Sequence, residues 1–172
     1  ESLELKAAVG AGSIILEGNT TTPANCIIEV DMAASAPYEL IQKLQGQTIY
    51  YLKGLKIQTV GASEPTFMLR QYQGLMYIED CHFKEGYFCQ IACGTSKIII
   101  SGDMTFEGTV SYCMAAQPLG AIEFDPSAKT FTLISAAYAS GFYYVYQGNI
   151  QTYGVTYSGT NTGKKYYVIL FK

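Results

Sequence analysis

The chain has 172 residues, 49% of them apolar and only 15% charged, with 17 Gly, 15 Tyr and 8 Phe. That length suits one domain, residues 1–172, with a core that needs neither disulfides nor a metal, and the poverty in surface-helix residues favours an all-β chain. A formal net charge of −3 and a single arginine, Arg70, leave no basic field for phosphate backbones, so nucleic acid is not an expected partner.

In chain order, Leu3 and Leu5 open an alternating strand at once. The first residues, ESLELKAAVGAG, lack the basic, apolar and small-residue order of a signal peptide. The next stretch, PYELIQKL from Pro37 to Leu44, predicts two helical turns, with Pro at a permissible first position and Leu40, Ile41 and Leu44 on one side. Beyond it the chain repeats itself. IYYLKGLKI (Ile49 to Ile57), LMYIEDCHF (Leu75 to Phe83), IIISGDMTF (Ile98 to Phe106) and YVYQGNIQT (Tyr144 to Thr152) align over nine columns without a gap. Their last residues, 57, 83, 106 and 152, step by 26, 23 and 46, so a degenerate copy is expected between the last two, in KTFTLISAAYASG.

One column of the repeat holds Gly54, Asp80, Asp103 and Asn149, residue types that tolerate a left-handed bend between two strands. A further strand follows in each period, as in TFMLRQ, YFCQIAC, VSYCMAA and GVTYSG, with turn residues Gly74, Gly94 and Gly120 behind the first three. Three short strands per coil of about 23 residues predict a parallel β-helix, because one coil cannot bury its apolar face while stacked coils share a core. Asn-Gly or Asp-Gly hairpins, which a sandwich or barrel would use, are missing. Inward ladders are expected at Leu55, Cys81, Met104 and Ile150, and at Ile57, Phe83 and Phe106. The end, YYVILFK, stops inside an apolar run, which reads as a piece of a longer protein. No apolar run approaches the roughly 18 residues of a membrane span, so membrane insertion is not expected.

GAGSIILEGNTTTPANCIIEV, from Gly10 to Val30, resembles the opening coils of right-handed β-helix domains in the tail fibres and tailspikes of tailed phages and prophages. LKGLKIQTV (Leu52 to Val60) and NTGKKYYVIL (Asn161 to Leu170) are similar to later segments of that group. The resemblance implies a right-handed parallel β-helix on the virion, made in the bacterial cytoplasm without a signal peptide. It also implies a homotrimer joined to other tail proteins that adsorbs to a bacterial surface polysaccharide or protein. Two alternatives stand beside adsorption: a depolymerase, and a structural shaft.

A tailspike that cleaves glycans needs two carboxylates about 5 Å apart for retention or 6.5–9.5 Å apart for inversion. The catalytic candidates are Glu79, Asp80 and Asp103, which fall near one another if the coils stack as aligned; an Asp at a bend equally serves the backbone. Glu123 and Asp125 should point to solvent if Ile122 and Phe124 point inward. His82, the one histidine, is expected on the outer face between Cys81 and Phe83. The five cysteines read as reduced core residues, and Cys89 and Cys93 sit four apart on one strand face, a spacing without metal or redox meaning. Neither a metal nor another cofactor is expected, since no nucleotide fingerprint opens a helix.

Tyrosine is the other lead. Its rings can stack on sugar faces while the hydroxyl bonds. The candidates for ligand binding are Tyr50, Tyr51, Tyr143, Tyr144 and Tyr146, with interchain packing an equal reading for the last three. In the doublets Tyr50–Tyr51, Tyr143–Tyr144 and Tyr166–Tyr167, one ring should face out where its neighbour faces in.

Overall fold

Strands that alternate apolar and polar side chains have one face to bury, and here they bury it by stacking on equivalent strands one coil away. The structure, a computed structural model, describes residues 3–4, 12–31, 39–43, 48–61, 67–127, 129–152, 154–163 and 166–169. It is an all-β solenoid in which, among the described residues, every strand pairing is parallel. The 14 strands among the described residues begin, in chain order, with β1 (Leu3–Glu4), β2 (Ser13–Glu17), β3 (Ile27–Asp31) and β4 (Glu39–Lys43). The middle holds β5 (Ile49–Lys53), β6 (Lys56–Val60), β7 (Phe67–Glu79), β8 (Cys81–Ile100) and β9 (Met104–Ala116). The rest are β10 (Ala121–Phe124), β11 (Lys129–Tyr146), β12 (Asn149–Gln151), β13 (Val155–Gly163) and β14 (Tyr166–Ile169).

Three ladders run along the solenoid. The first stacks Ile14, Tyr50, Met76, Ile98, Ile122 and Ile150. The second stacks Ile28, Ile57, Phe83, Phe106 and Leu133. The third passes through Leu3, Ile41, Leu69, Gln90, Met114, Tyr143 and Tyr166. The long strands β7, β8, β9 and β11 each take part in two or three ladders because they turn corners without leaving extended geometry, with register shifts at places such as Gln71/Gln73 and Lys84/Gly86. In the first ladder the coil step is 26 residues from Tyr50 to Met76, 22 to Ile98, 24 to Ile122 and 28 to Ile150.

The core fills the space between the ladders. Phe83 and Phe106 stack at 5.9 Å, Phe106 meets Phe131 edge-on at 5.7 Å and Phe142 at 5.2 Å, and Phe124 meets Phe131 at 5.5 Å. Such geometry adds to simple area burial. Ile122 and Phe124 are inward as expected, while Glu123 pairs with Lys97 at 2.8 Å. All five cysteines are free thiols, four of them buried.

Several expectations need correcting. Glu39–Lys43 is strand, not helix: its backbone continues the ladder between β1 and β7, and a ladder on both sides outweighs a weak local helical pattern. Pro37, Tyr38 and Leu44 lie outside the described residues. Ile150 does not stack on Met104; it pairs with Ile122, and the Met104 column continues to Phe131 and Tyr157. Gly148–Asn149 therefore marks the corner that leads into the first ladder, not the one that leaves it, and Val155–Gly159 lies in the second ladder. The degenerate copy does lie in KTFTL, with Phe131 opposite Met104 and Leu133 opposite Phe106. Of the bend residues, Gly54 (φ 58°) and Asp80 (φ 51°) are left-handed, whereas Asp103 and Asn149 are not. Cys89 and Cys93 part company: Cys89 is in the main core and Cys93 in a separate cluster with Tyr112 and Ala115. The cause is a pair of consecutive inward residues in the third-ladder parts of the long strands, such as Met68–Leu69, Cys113–Met114 and Phe142–Tyr143, which resets the alternation.

One corner is closed by its own lysine. Lys129 is 3% exposed and folds its ammonium into the turn before it, donating to the Asp125 carbonyl at 2.8 Å, the Ser127 carbonyl at 2.8 Å and the Ser127 hydroxyl at 2.9 Å.

Candidate functional site

On the first ladder Tyr50, Leu52, Met76 and Ile78 point into the core, so alternation turns Tyr51, Lys53, Tyr77 and Glu79 outward. Tyr51 and Tyr77 are register partners on adjacent coils. In-register coils lie close enough for like rings to stack face to face, and these two do, with centroids 4.7 Å apart and planes 7° from parallel. Ile15, 53% exposed, precedes Tyr51 in this column and Ile99 follows Tyr77. This apolar strip is bordered by the ion pairs Lys53–Glu79 and Lys97–Glu123, each 2.8 Å. The hydrogen bond to Glu79 raises the proton affinity of Lys53.

The five tyrosines singled out by sequence divide. Tyr50, 1% exposed, and Tyr143, 3% exposed, are core residues, and the Tyr143 hydroxyl is hydrogen-bonded to that of Tyr157. Their rings therefore cannot meet a ligand at the surface. Tyr144 is half-buried against Tyr112 at 4.9 Å, in the outer cluster of the third ladder, and Tyr146 is half-buried. Of the five, Tyr51 lies on the outward strip, where it is half-buried like Tyr144 and Tyr146. Its partner Tyr77 was missed, although both occupy the third column of the nine-residue repeat, and that shared column was the signal. The side chains of Tyr166 and Tyr167 lie outside the described residues.

The carboxylate candidates divide as well. Glu79 belongs to the strip, bound to Lys53. Asp80 and Asp103 meet at the corner between the first and second ladders, where each holds the next coil: an Asp80 oxygen accepts the Asp103 N–H at 3.0 Å, and an Asp103 oxygen accepts the Thr130 N–H at 2.7 Å. Asp103 thus serves its bend by its side chain and not by its φ. Gly102 makes the approach possible, since a Cβ there would stand 2.6 Å from the Asp80 oxygen. Both aspartates line a polar cavity of about 280 Å³ together with Thr20, Thr21, Pro23, Thr105 and Thr132. The segment Gly18–Cys26, a loop turned by Asn19, whose side-chain oxygen accepts the Thr21 and Thr22 N–H groups, forms one wall. Burial raises the proton affinity of Asp80, the Asp103 N–H opposes that, and the neighbouring Glu79 and Asp103 charges add to it. Two neighbouring carboxyl groups, one of them with its proton affinity raised by burial, are an arrangement that acid–base chemistry uses.

His82 is on the outer face as expected, yet only 7% exposed. Its Nε2 lies 2.9 Å from Glu107, poorly aligned for a hydrogen bond, and Glu107 also draws Lys84 to 3.2 Å and Lys56 to 3.7 Å. Burial first, and the Lys56 charge second, pull the imidazole below its ordinary value of 6.5, while Glu107 opposes them. The unfolded chain therefore binds this proton more tightly than the folded one, and stability falls as pH drops below 6.5 until the lowered folded value is passed. Thermal melts at pH 7 and pH 5 are expected to show a smaller acid loss in His82→Gln than in the parent chain; equal losses would exclude His82 as the cause.

Among the described residues no group of three or more His, Cys, Asp or Glu side chains is placed to hold a metal ion, and no helix is long and apolar enough to cross a membrane. No protein-family model, no curated protein and no solved structure matches this chain.

Proposed function

We propose that this chain is a receptor-binding segment of a phage or prophage tail fibre that adsorbs to a bacterial surface glycan. The observation that carries the reading is the Tyr51–Tyr77 stack: two rings packed face to face along an outer ladder offer a sugar their edges and hydroxyls at a fixed spacing, with ion pairs at the border. The sequence resemblance in Gly10–Val30 and Leu52–Val60 supplies the biological setting. In that setting the protein acts on the virion, as a homotrimer attached to other tail proteins. A strictly monomeric species in light scattering at high concentration would count against the trimer.

The test is retention of bacterial surface polysaccharides by the purified chain, scored together with new reducing ends. Tyr51→Ala and Tyr77→Ala are each expected to weaken retention about tenfold, which is ~1.4 kcal/mol. Unchanged retention in both variants would remove the strip as the binding face.

A depolymerase is the second reading, favoured by one observation, the shared cavity of Asp80 and Asp103 with the raised proton affinity of Asp80. It requires new reducing ends that disappear in Asp103→Asn. Neither retention nor cleavage would leave a structural shaft.

A further inference from the structure

We infer that the corner cavity is a subsite for one neutral hexose unit of the same glycan, so that the bound polymer crosses the solenoid transversely, from the tyrosine strip over the corner. The inference rests on the adsorption reading and adds the direction of the ligand and the chemistry of its second contact.

The lining has the inventory a polyol needs. Thr20 and Thr21 stand on the overhanging loop, Thr105 and Thr132 on β9 and β11, and each hydroxyl both donates and accepts. Asp80 and Asp103 add acceptors, and each has one oxygen already committed to a backbone N–H, which fixes the carboxylate in place before any ligand arrives. The loop wall is fixed too. Gly18 and Gly54 pack so closely that a Cβ on Gly18 would stand 2.6 Å from Cys26 Cβ, and one on Gly54 would stand 2.5 Å from the Asn19 carbonyl carbon. A cavity ordered in advance loses little entropy on binding.

Charge selects among sugars. Two carboxylates converge here, and the lysines described around them are engaged elsewhere: Lys53 by Glu79 on the strip, from where its charge still reaches Asp80, Lys56 and Lys84 by Glu107, and Lys129 by its own turn. A uronic acid would meet like charge at short range. Position sets the path: Asp80 follows Tyr77 by three residues of extended chain, about 10 Å. One oligosaccharide can therefore touch both.

The experiment uses the whole chain with ¹⁵N labelling of the backbone and ¹³C labelling of the tyrosine rings, and four probes: the methyl glycosides of glucose, galactose and mannose, and methyl glucuronide. The Asp103 and Thr130 amides report the two carboxylates they bond, and the Tyr51 and Tyr77 rings report the strip. At least one neutral glycoside is expected to shift both amides with a millimolar Kd, about −4 kcal/mol, and methyl glucuronide to shift neither. Thr105→Val and Thr132→Val, which remove a hydroxyl and keep the shape, are expected to weaken that response at least about fivefold while the tyrosine response persists. The same spectra show whether each variant is folded. Static amides with moving tyrosines would overturn the subsite and leave the strip standing. Amides that move while the tyrosines stay still would overturn the transverse path, and no response anywhere would remove strip and subsite together. Equal binding of glucuronide would overturn the choice of a neutral sugar.

Discussion

Phe106→Ala is expected to lower the stability of the folded chain by about 3–5 kcal/mol, the range for emptying a buried aromatic site. Phe106 is wholly buried and touches Phe83 on one coil, Phe131 on the next, and Phe142 across the interior, so its removal opens a cavity that rigid ladders cannot collapse to fill. Against a typical total of about 5–15 kcal/mol, that is a large share. Each coil is stabilised by its neighbours, so the loss should fall first on β9 and the strands that flank it. Chemical denaturation measures the effect, and amide exchange locates it. A change under about 1 kcal/mol would mean that the aromatic ladder is not the main source of cohesion.

Gly54→Ala carries the second large effect, and it joins stability to the cavity. Gly54 has φ 58°, which costs an L side chain about 1–2 kcal/mol. The added Cβ would also stand 2.5 Å from the Asn19 carbonyl carbon and 2.8 Å from its oxygen, and backbone cannot yield as a flexible side chain can. The loop must lift, and with it the wall that carries Thr20 and Thr21. The expected loss is about 3 kcal/mol in denaturant unfolding. Gly12→Ala is the matched control: nothing lies within 4 Å of a Cβ there, and the change should stay within about 0.5 kcal/mol. Equal effects at the two glycines would show that the loop is not seated on the Gly54 corner.

How far these features could be read from sequence depended on whether a signal was periodic or was made by three-dimensional register. The columns Ile57–Phe83–Phe106 and Leu55–Cys81–Met104 were legible because parallel stacking repeats inward positions at every coil, and the structure stacks them so. Ile150 was misplaced because Gly148–Asn149 looks like the earlier bends, although it serves a different corner; residue type marks a bend without saying which bend. Glu39–Lys43 carried a short apolar spacing that suits helix or strand, and only the ladders on both sides decide. The candidate site was half legible. The nearness of Asp80 and Asp103 followed from the repeat, but their bonds to the Asp103 and Thr130 amides did not, nor did the loop that closes the cavity over them. The outward-facing tyrosine of the first doublet was narrowed to two by alternation, and the structure selects Tyr51, half-buried, by burying Tyr50.

The turn closed by Lys129 bears on the ionic setting in which the solenoid can work. Oxygen-lined corners often depend on a dissolved cation to hold their carbonyls together. Here the cation is covalently part of the chain, and its ammonium satisfies the Asp125 and Ser127 oxygens from within. The cohesion of that corner is therefore set at synthesis, and neither a chelator nor a change of salt in the surrounding medium can remove the charge that closes it.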